Sequence, residues 1–420
     1  MKPPSRYTSG TETASRHAWT PSFIGLLWVP LAILVASNGY AEEPRSKPSR
    51  KLFPVSRNGK WGYIGKTGNL VIPLQFEKAQ EFSNGLARVR PEGKLGDVYI
   101  DTTGAIAIDL YPQLPDAFYQ RLKKGGAFIR YDKELDRHVY FDEGTQEWVA
   151  IDPKFPIWAY GDFSDGLAHV WLRKDEKCGY IDTTGNLVIR IPCEHAENFS
   201  EGMALIQMGR LVQVGDLLQG AKFGYIDNTG NMVVSAQFDQ AGDFSEGLAP
   251  VETNGKWGYL DKMGKFVIEP QFDSASEFSE GLACVTHAGE DGYGYIDKTG
   301  QFVIQPRFDW AANFSEGLAG VVLDYKIGYI DPKGNFVIKP QFETAGGPFD
   351  EEGQTGGFSE GLAPMEIDGQ VGYIDRTGKV VIAPQFDRAY SFSGGLARVE
   401  AGDKTGYIDR TGKYVWESSN

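Results

Sequence analysis

A stretch of 29 residues recurs along most of this chain, and it restricts the fold more than any other feature of the sequence. One copy spans 257–285 and the next spans 293–321, so that their motif glycines, Gly258 and Gly294, lie 36 residues apart. A fixed period in this range is typical of repeat proteins, in which each unit covers its apolar face by stacking on its neighbours. The 420 residues are therefore predicted to form one array, and not two or three ordinary domains.

Two short motifs set the frame of the repeat. The first is Gly-Tyr-Ile-Asp, with ten recognisable starts: Gly62, Gly179, Gly224, Gly258, Gly294, Gly328, Gly372, Gly406 and two degenerate ones at Val98 and Val139. The second, which we call the tag, is Phe-Ser-x-Gly-(Leu or Met)-Ala. It recurs eight times, beginning at Phe82, Phe163, Phe199, Phe244, Phe278, Phe314, Phe358 and Phe392.

Each unit is predicted to contain three short strands joined by tight turns. Between the second and third strands stands Asp-x-x-Gly, as at Asp297 and Gly300, where the Asp caps a type I turn and the Gly adopts a positive φ. Calcium loops instead place several oxygen ligands at alternate positions, so the periodic Asp residues indicate turns and not metal sites. The Glu of the tag is interpreted as a solvated turn residue.

Both faces of such a strand meander are apolar, so neighbouring units must cover them. We expect an all-β fold of tandem three-stranded antiparallel meanders, about ten units of roughly 34 to 45 residues, stacked into an open β-solenoid or superhelix. A propeller-like ring is the alternative, disfavoured because propellers usually have about four to eight blades of four strands. The pattern is degenerate at about 105–158, where the array is expected to bend or break.

The start of the chain has the composition of an export signal. Residues 1–41 comprise basic residues, an apolar run from Phe23 to Ala36 and a small-x-small pattern ending at Ala41, which predicts a signal peptide cleaved near Ala41. Residues 42–51 are predicted to be a linker and 52–416 the array. An uncleaved anchor is the alternative, but the run is short for a bilayer span of roughly 20 residues. A periplasmic or extracellular location is expected, with no stable membrane span after cleavage.

Charge excludes one class of partner. The formal net charge is −14, whereas nucleic-acid binding depends on phosphate neutralisation by Lys and Arg. The three cysteines are an odd number, and Cys178 and Cys193 occupy slots that hold Trp61 or Phe238 in other units. Buried thiols are therefore expected at these positions, with no disulfide framework implied.

Together these motifs resemble the WG-repeat (KWG-repeat) family. Its name-giving motif stands here as Lys60-Trp61-Gly62 and Lys256-Trp257-Gly258, and the later motifs follow in order from about Leu52 to Trp416. The resemblance implies an exported bacterial repeat protein that serves as a binding or scaffold module without chemistry of its own. It implies no ligand-binding residue.

Motifs that would indicate catalysis are missing from the sequence. It contains no G-x-S-x-G, no H-E-x-x-H and no phosphate loop. We therefore predict no enzyme activity and no catalytic, cofactor or metal site. The expected function is a non-catalytic scaffold that binds a protein or another envelope component. A glycan- or cell-wall-binding module is the alternative, and a glycoside-active enzyme is a more distant one.

Two insertions bear on where a partner would bind. Gln207–Lys222 lengthens one loop and carries apolar side chains, which must either fold back as an extra hairpin or form a contact patch: Leu211, Val212, Val214, Leu217 and Leu218. Glu343–Gly357 is Gly-rich and acidic, and is a poorer candidate. Three tryptophans outside the repeated aromatic positions complete the predicted contact residues: Trp158, Trp171 and Trp310.

Overall fold

The structure is a computed structural model that describes residues 51–92, 94, 96–109, 129–132, 137–142, 147–150, 157–172, 177–209, 212–214, 217–287, 289, 292–343 and 357–419. The chain divides into two units, Met1–Pro48 and Ser49–Asn420, and all of the described strands belong to the second. The predicted signal peptide and all of the linker but its last residue lie outside the described residues.

The described residues form antiparallel sheets that follow the repeat. Units 1 and 2 share one six-stranded sheet, β1 to β6: Phe53–Arg57, Lys60–Ile64, Leu70–Ser83, Leu86–Pro91, Val98–Asp101 and Ile106–Ile108. A separate three-stranded sheet, β7 to β9, comprises Ile129–Asp132, Arg137–Asp142 and Glu147–Ala150. Unit 3 contains β10 to β13: Ile157–Tyr160, Leu167–Leu172, Lys177–Asp182 and Leu187–Ile191.

Unit 4 interrupts its sheet with an extra hairpin. Its strands β14 to β19 are His195–Ser200, Met203–Met208, Val212–Val214, Leu217–Gln219, Lys222–Asp227 and Met232–Phe238, of which β16 and β17 pair only with each other. Unit 5 contains β20 to β23: Gln240–Ala241, Leu248–Thr253, Lys256–Asp261 and Phe266–Phe272. Unit 6 contains β24 to β27: Ser274–Ala275, Ala283–Thr286, Tyr293–Ile296 and Phe302–Phe308.

The last three units continue the same order. Unit 7 contains β28 to β31: Trp310–Ala311, Ala319–Leu323, Lys326–Ile330 and Phe336–Glu343. Unit 8 contains β32 to β34: Leu362–Ile367, Gln370–Asp375 and Val380–Phe386. Unit 9 contains β35 to β38: Arg388–Ala389, Leu396–Ala401, Lys404–Asp409 and Tyr414–Ser419.

Unit 5 shows how sequence sets the shape of a sheet. Its inner strand β20 has only two residues, and its second, third and outer strands follow as successive antiparallel neighbours. Across β22 and β23, Trp257 faces Phe272 while Tyr259 faces Ile268, so the outer strand bulges opposite Gly258. A Cβ at Gly258 would lie 2.6 Å from the Ile268 carbonyl oxygen. The glycine of the Trp-Gly motif is thus required because the bulged backbone occupies the space of a side chain.

The prediction of an open solenoid is wrong, because the sheets stand in a ring and form a β-propeller. Unit 1 packs on unit 9: the rings of Phe53 and Tyr407 lie 5.4 Å apart, and the Arg57 guanidinium lies 4.5 Å from the Trp416 ring. Phe53, Val55 and Ile64 share one buried cluster with Leu396 and Tyr407. Closure covers the apolar faces that an open array would leave at both of its ends.

The prediction of about ten three-stranded units also needs correction. The degenerate start at Val139 lies in β8, in the separate sheet, and Gly185 of unit 3 packs directly on Ile108 of unit 2. Among the described residues the ring therefore contains eight sheets, and since the six-stranded one holds two units, nine repeat units in all. Sequence reasoning missed the inner strand because in units 5, 6, 7 and 9 it has only two residues, too few for a readable alternation.

Aromatic contacts join each unit to the next. Tyr225 of unit 4 meets the tag residue Phe244 of unit 5 edge-on at 4.9 Å between ring centroids, and its hydroxyl donates to the Gly242 carbonyl at 2.6 Å. The same pair recurs as Tyr259 with Phe278 and Tyr295 with Phe314. Burial raises the pKa of these tyrosines well above the ordinary value, so they remain neutral hydrogen-bond donors.

The tag forms a second ladder between units, and its Glu is a turn residue, as predicted, that also bonds the neighbouring unit. The Ser245 hydroxyl donates to the Phe278 carbonyl of the next unit at 2.7 Å. Glu201 accepts the Gly247 amide at 3.0 Å and pairs with Lys262 at 3.1 Å. Burial opposes ionisation of Glu201, but these hydrogen bonds and the lysine lower its pKa overall. The carboxylate thus satisfies backbone donors of the neighbouring turn.

The Asp-x-x-Gly turns have the chemistry predicted from sequence. Asp297 Oδ1 accepts the Thr299 amide at 2.8 Å and the Gln301 amide at 3.2 Å, and Gly300 has φ +83°. The Thr299 hydroxyl, together with these amides, lowers the pKa of Asp297. The capping interpretation is confirmed.

Two of the three cysteines are bonded to each other, and the third is free. Cys178 and Cys193 form a disulfide with Cα atoms 5.6 Å apart, whereas Cys284 is a free, buried thiol whose pKa burial raises to about 12. The prediction of buried thiols at Cys178 and Cys193 is therefore wrong. The two slots face each other across the third and outer strands, as Trp257 faces Phe272 in unit 5, and that proximity was not visible in the linear pattern.

Candidate functional site: the insertion face

The ring has two faces with different turns. Because successive strands of a unit are antiparallel, the tag turn and the Asp-x-x-Gly turn lie on one face, which we call the tag face. The turn between the second and third of the four strands, and the link from the outer strand to the next unit, lie on the other. We call this the insertion face.

Two of the three long departures from the repeat leave and rejoin the ring on the insertion face, and the third lies outside the described residues. Residues 109–156 join the outer strand β6 to the inner strand β10, and they include the sheet β7 to β9. Residues 209–221 join β15 to β18 and contain the hairpin β16 and β17. Residues 344–356 follow the outer strand β31 and lie outside the described part of the chain. In repeat proteins, insertions on one face often mark the binding face.

The predicted apolar contact residues of unit 4 belong to its extra hairpin. Val212 pairs with Gln219, and Val214 pairs with Leu217, with Leu218 between them on β17. Leu211 is not among the described residues, and neither are the side chains of the hairpin. The hairpin thus exists, and its use as a contact patch stays a prediction.

The three predicted tryptophans are not brought together. Trp158 lies on the inner strand β10 of unit 3, with its side chain outside the described part. Trp171 is half-buried and meets the His195 ring edge-on at 5.2 Å. Trp310, on the inner strand of unit 7, is half-buried against the core cluster that contains Ile327. Neither Trp171 nor Trp310 is fully exposed, and their use as partner contacts stays a prediction.

The exposed aromatic that sequence reasoning missed is Tyr325. It lies in the turn between β29 and β30, on the insertion face, with 81 % of its surface exposed and φ +61°. Asp324 before it donates its amide to Asp309 at 2.9 Å, and Lys326 after it pairs with Glu343 at 3.7 Å. The sequence cue was Asp-Tyr at a turn where unit 5 has Asn254-Gly255.

A second polar region follows the inner strands, which lie nearest the ring axis. Burial raises the pKa of Asp243 in unit 5 to about 6, and Glu277 and Glu197 from the units on either side add to the rise. These carboxylates belong to three successive units that converge on the axis. Even so, within the described ranges no group of three or more His, Cys, Asp or Glu side chains is placed to hold a metal ion.

In the part of the chain that the structure covers, no helix is long and apolar enough to cross a bilayer.

Fold and repeat together define a class, that of all-β repeat propellers. The model of the family described as "WG containing repeat" matches seven stretches: 61–94, 179–211, 223–257, 257–289, 293–326, 327–353 and 372–404. These matches cover more than half of the chain, which therefore belongs to the WG-repeat family. No curated protein matches it.

Solved structures resemble the fold at low sequence identity. One titled as the eukaryotic initiation factor is 15 % identical, with a TM-score of 0.53 over 87 % of this chain and 95 % of that chain. Apo AztD from Citrobacter koseri is 12 % identical, with a TM-score of 0.36 over 88 % and 94 %. A streptogramin B lyase is 15 % identical, with a TM-score of 0.30 over 63 % and 83 %. The first likeness concerns the fold alone, and the other two are too weak to bear on fold or function.

Proposed function

We propose that this protein is a non-catalytic binding scaffold that acts outside the cytoplasm and holds a protein partner, or another envelope component, on its insertion face. The observation that carries the proposal is that two insertions, 109–156 and 209–221, both leave and rejoin the ring at strand ends on the insertion face. The tag face instead repeats one contact pattern, in which seven of the eight tag Ser hydroxyls donate to the Phe carbonyl of the next tag. A binding module is expected to have loops that vary on one face and regular turns on the opposite face.

Two further observations support this proposal. The apolar run and Ala41 at the start of the chain fit export, and the Cys178–Cys193 disulfide fits an oxidising compartment. A glycan-binding module gains less support, because Trp171 and Trp310 are half-buried in contact with protein and offer no open ring to stack on a sugar.

Shortening the hairpin of unit 4 tests the proposal. Met208 pairs with Lys222 in the register in which Thr253 pairs with Lys256 across Asn254-Gly255. Residues 209–221 can therefore be replaced by Asn-Gly without a change of register. We expect the shortened protein to keep its unfolding midpoint and to lose a protein that co-purifies with the unaltered chain from the envelope fraction.

The matched control is Met263→Ala, which alters a side chain 79 % exposed on the tag face. It should leave both the midpoint and the co-purifying protein unchanged. If the shortened chain melts lower and still retains the partner, the hairpin is structural and the proposal fails for this insertion.

A further inference from the structure

Tyr325 combines two properties that no other described residue combines. Its backbone is in the left-handed region at φ +61°, and its side chain is a large aromatic ring that is 81 % exposed. Every other described non-glycine residue with positive φ is Asn, Asp or Glu. Short polar side chains tolerate this conformation, whereas a bulky residue there is an outlier.

Exposure alone would mean little, since single apolar residues are common on protein surfaces. The left-handed backbone, however, costs free energy that a glycine would not, and an exposed ring recovers little of it by burial. Three corresponding turns hold Asn58-Gly59, Asn254-Gly255 and Asp368-Gly369, and that of unit 9 holds Gly402-Asp403. A tyrosine kept at such a position without a packing reason indicates function.

The charged groups next to Tyr325 are Asp324, Asp309 and Lys326, and the lysine is paired with Glu343. Asp324 and Asp309 are both exposed, and Asp309 accepts the Asp324 amide at 2.9 Å. In units 4 and 5 the residues corresponding to Asp309 are paired with lysines, Lys222 with Asp239 and Lys256 with Asp273. In unit 6, to which Asp309 belongs, Gly292 occupies the position of this lysine. No lysine at that position therefore neutralises Asp309.

We propose that Tyr325, Asp324 and Asp309 form a docking point for an arginine-bearing segment of a protein partner. A guanidinium group stacks on the face of a tyrosine ring by cation–π attraction and pairs with neighbouring carboxylates. The net charge of −14 favours approach of a basic segment over an acidic one. This inference rests on the proposed function, since it names the chemistry of the partner that the insertion face binds.

The probe is a fluorescein-labelled twelve-residue peptide of Gly and Ser with about three spaced arginines, and its counterpart has glutamates in place of the arginines. Fluorescence anisotropy at low ionic strength gives the dissociation constant for the full chain and for Tyr325→Gly, Tyr325→Phe and Asp309→Asn. We expect the arginine peptide to bind and the glutamate peptide not to bind. Tyr325→Gly should weaken binding about twofold to fivefold, as for loss of one cation–π contact at an exposed site.

Stability separates a binding tyrosine from a structural one. Tyr325→Gly restores the glycine that the turn prefers, so its urea midpoint should equal or exceed that of the unaltered protein. Tyr325→Phe keeps a ring face and should retain binding, and Asp309→Asn should weaken it. Met263→Ala, on the tag face, should change nothing.

Three results would overturn the inference: equal affinity of Tyr325→Gly and the unaltered chain, binding of the glutamate peptide as well, or a lower midpoint for Tyr325→Gly. The proposed function is tested apart from it. If the Asn-Gly replacement of 209–221 releases the co-purifying partner while Tyr325→Gly does not affect arginine binding, the scaffold proposal stands and this inference fails. If Tyr325→Gly loses arginine binding but the hairpin replacement releases nothing, the inference stands and the hairpin proposal fails.

Discussion

Reduction of the Cys178–Cys193 disulfide should destabilise the ring by a measurable amount. The two cysteines are separated by 15 residues in the chain, and closing a loop of that length contributes about 3 kcal/mol to the free energy of unfolding. The pair lies in a buried cluster with Ile189 and Ile191. The equivalent positions of unit 5 hold the much larger Trp257 and Phe272, which face each other. After reduction, the two thiols of unit 3 do not fill the volume that such a pair would fill.

Urea unfolding with and without dithiothreitol measures the effect. We expect one reactive thiol in the denatured, oxidised protein and three after reduction, since Cys284 alone is free. The unfolding free energy should fall by about 3 kcal/mol on reduction. The control is Cys178→Ala with Cys193→Ala, whose midpoint should not respond to dithiothreitol.

A second double variant tests the physical interpretation. Cys178→Phe with Cys193→Phe installs the pair that unit 4 holds as Phe223 and Phe238, and it should recover much of the stability that reduction removes. If the unaltered protein unfolds at the same urea concentration with and without reductant, the disulfide does not stabilise unit 3 and the reasoning is refuted.

Three further predictions concern the core, a turn and the axis. Phe272→Ala, at a side chain 1 % exposed, should cost about 3 to 5 kcal/mol, and an unchanged melting curve would contradict the assigned core. Gly264→Ala, at φ +79°, should cost at least about 1 kcal/mol, while calcium or a chelator should leave the melting temperature in place. Burial and the neighbouring carboxylates raise the pKa of Asp243 from 3.8 to about 6, so its stabilising contribution is complete below about pH 4 and is lost as the pH rises through 6. Asp243→Asn should therefore gain about 1 kcal/mol at neutral pH, after allowance for partial exposure, and show no gain near pH 4. Denaturation at the two pH values measures the difference, and equal gains would disprove the assigned shift.

The local features of the fold were predictable because short, repeated residue patterns specify them. Asp297 and Gly300 specify a turn through their own chemistry, and Phe272 recurs at a period that places it in the core. Ring closure was not predictable in the same way. It depends on the rotation between neighbouring sheets, and no residue pattern states that angle.

The candidate site was harder to predict than the fold. The hairpin of unit 4 was found as an insertion in the sequence, but its assignment to the insertion face required the direction of the strands. Tyr325 was overlooked because the alignment of units followed Gly-Tyr-Ile-Asp and the tag. The Asp-Tyr pair at the Asn-Gly turn was a readable cue, whereas the exposure of the ring was not.

Contact between Phe53 and Tyr407 makes the first unit synthesised depend on the last. Until Leu396 and Tyr407 have been made, Phe53, Val55 and Ile64 lack the cover that they have in the finished ring. A growing chain therefore carries an unpaired apolar surface for nearly the whole of its synthesis. A chain truncated before Leu396 should associate with other chains through that surface, so premature termination should yield aggregates and not a smaller working protein.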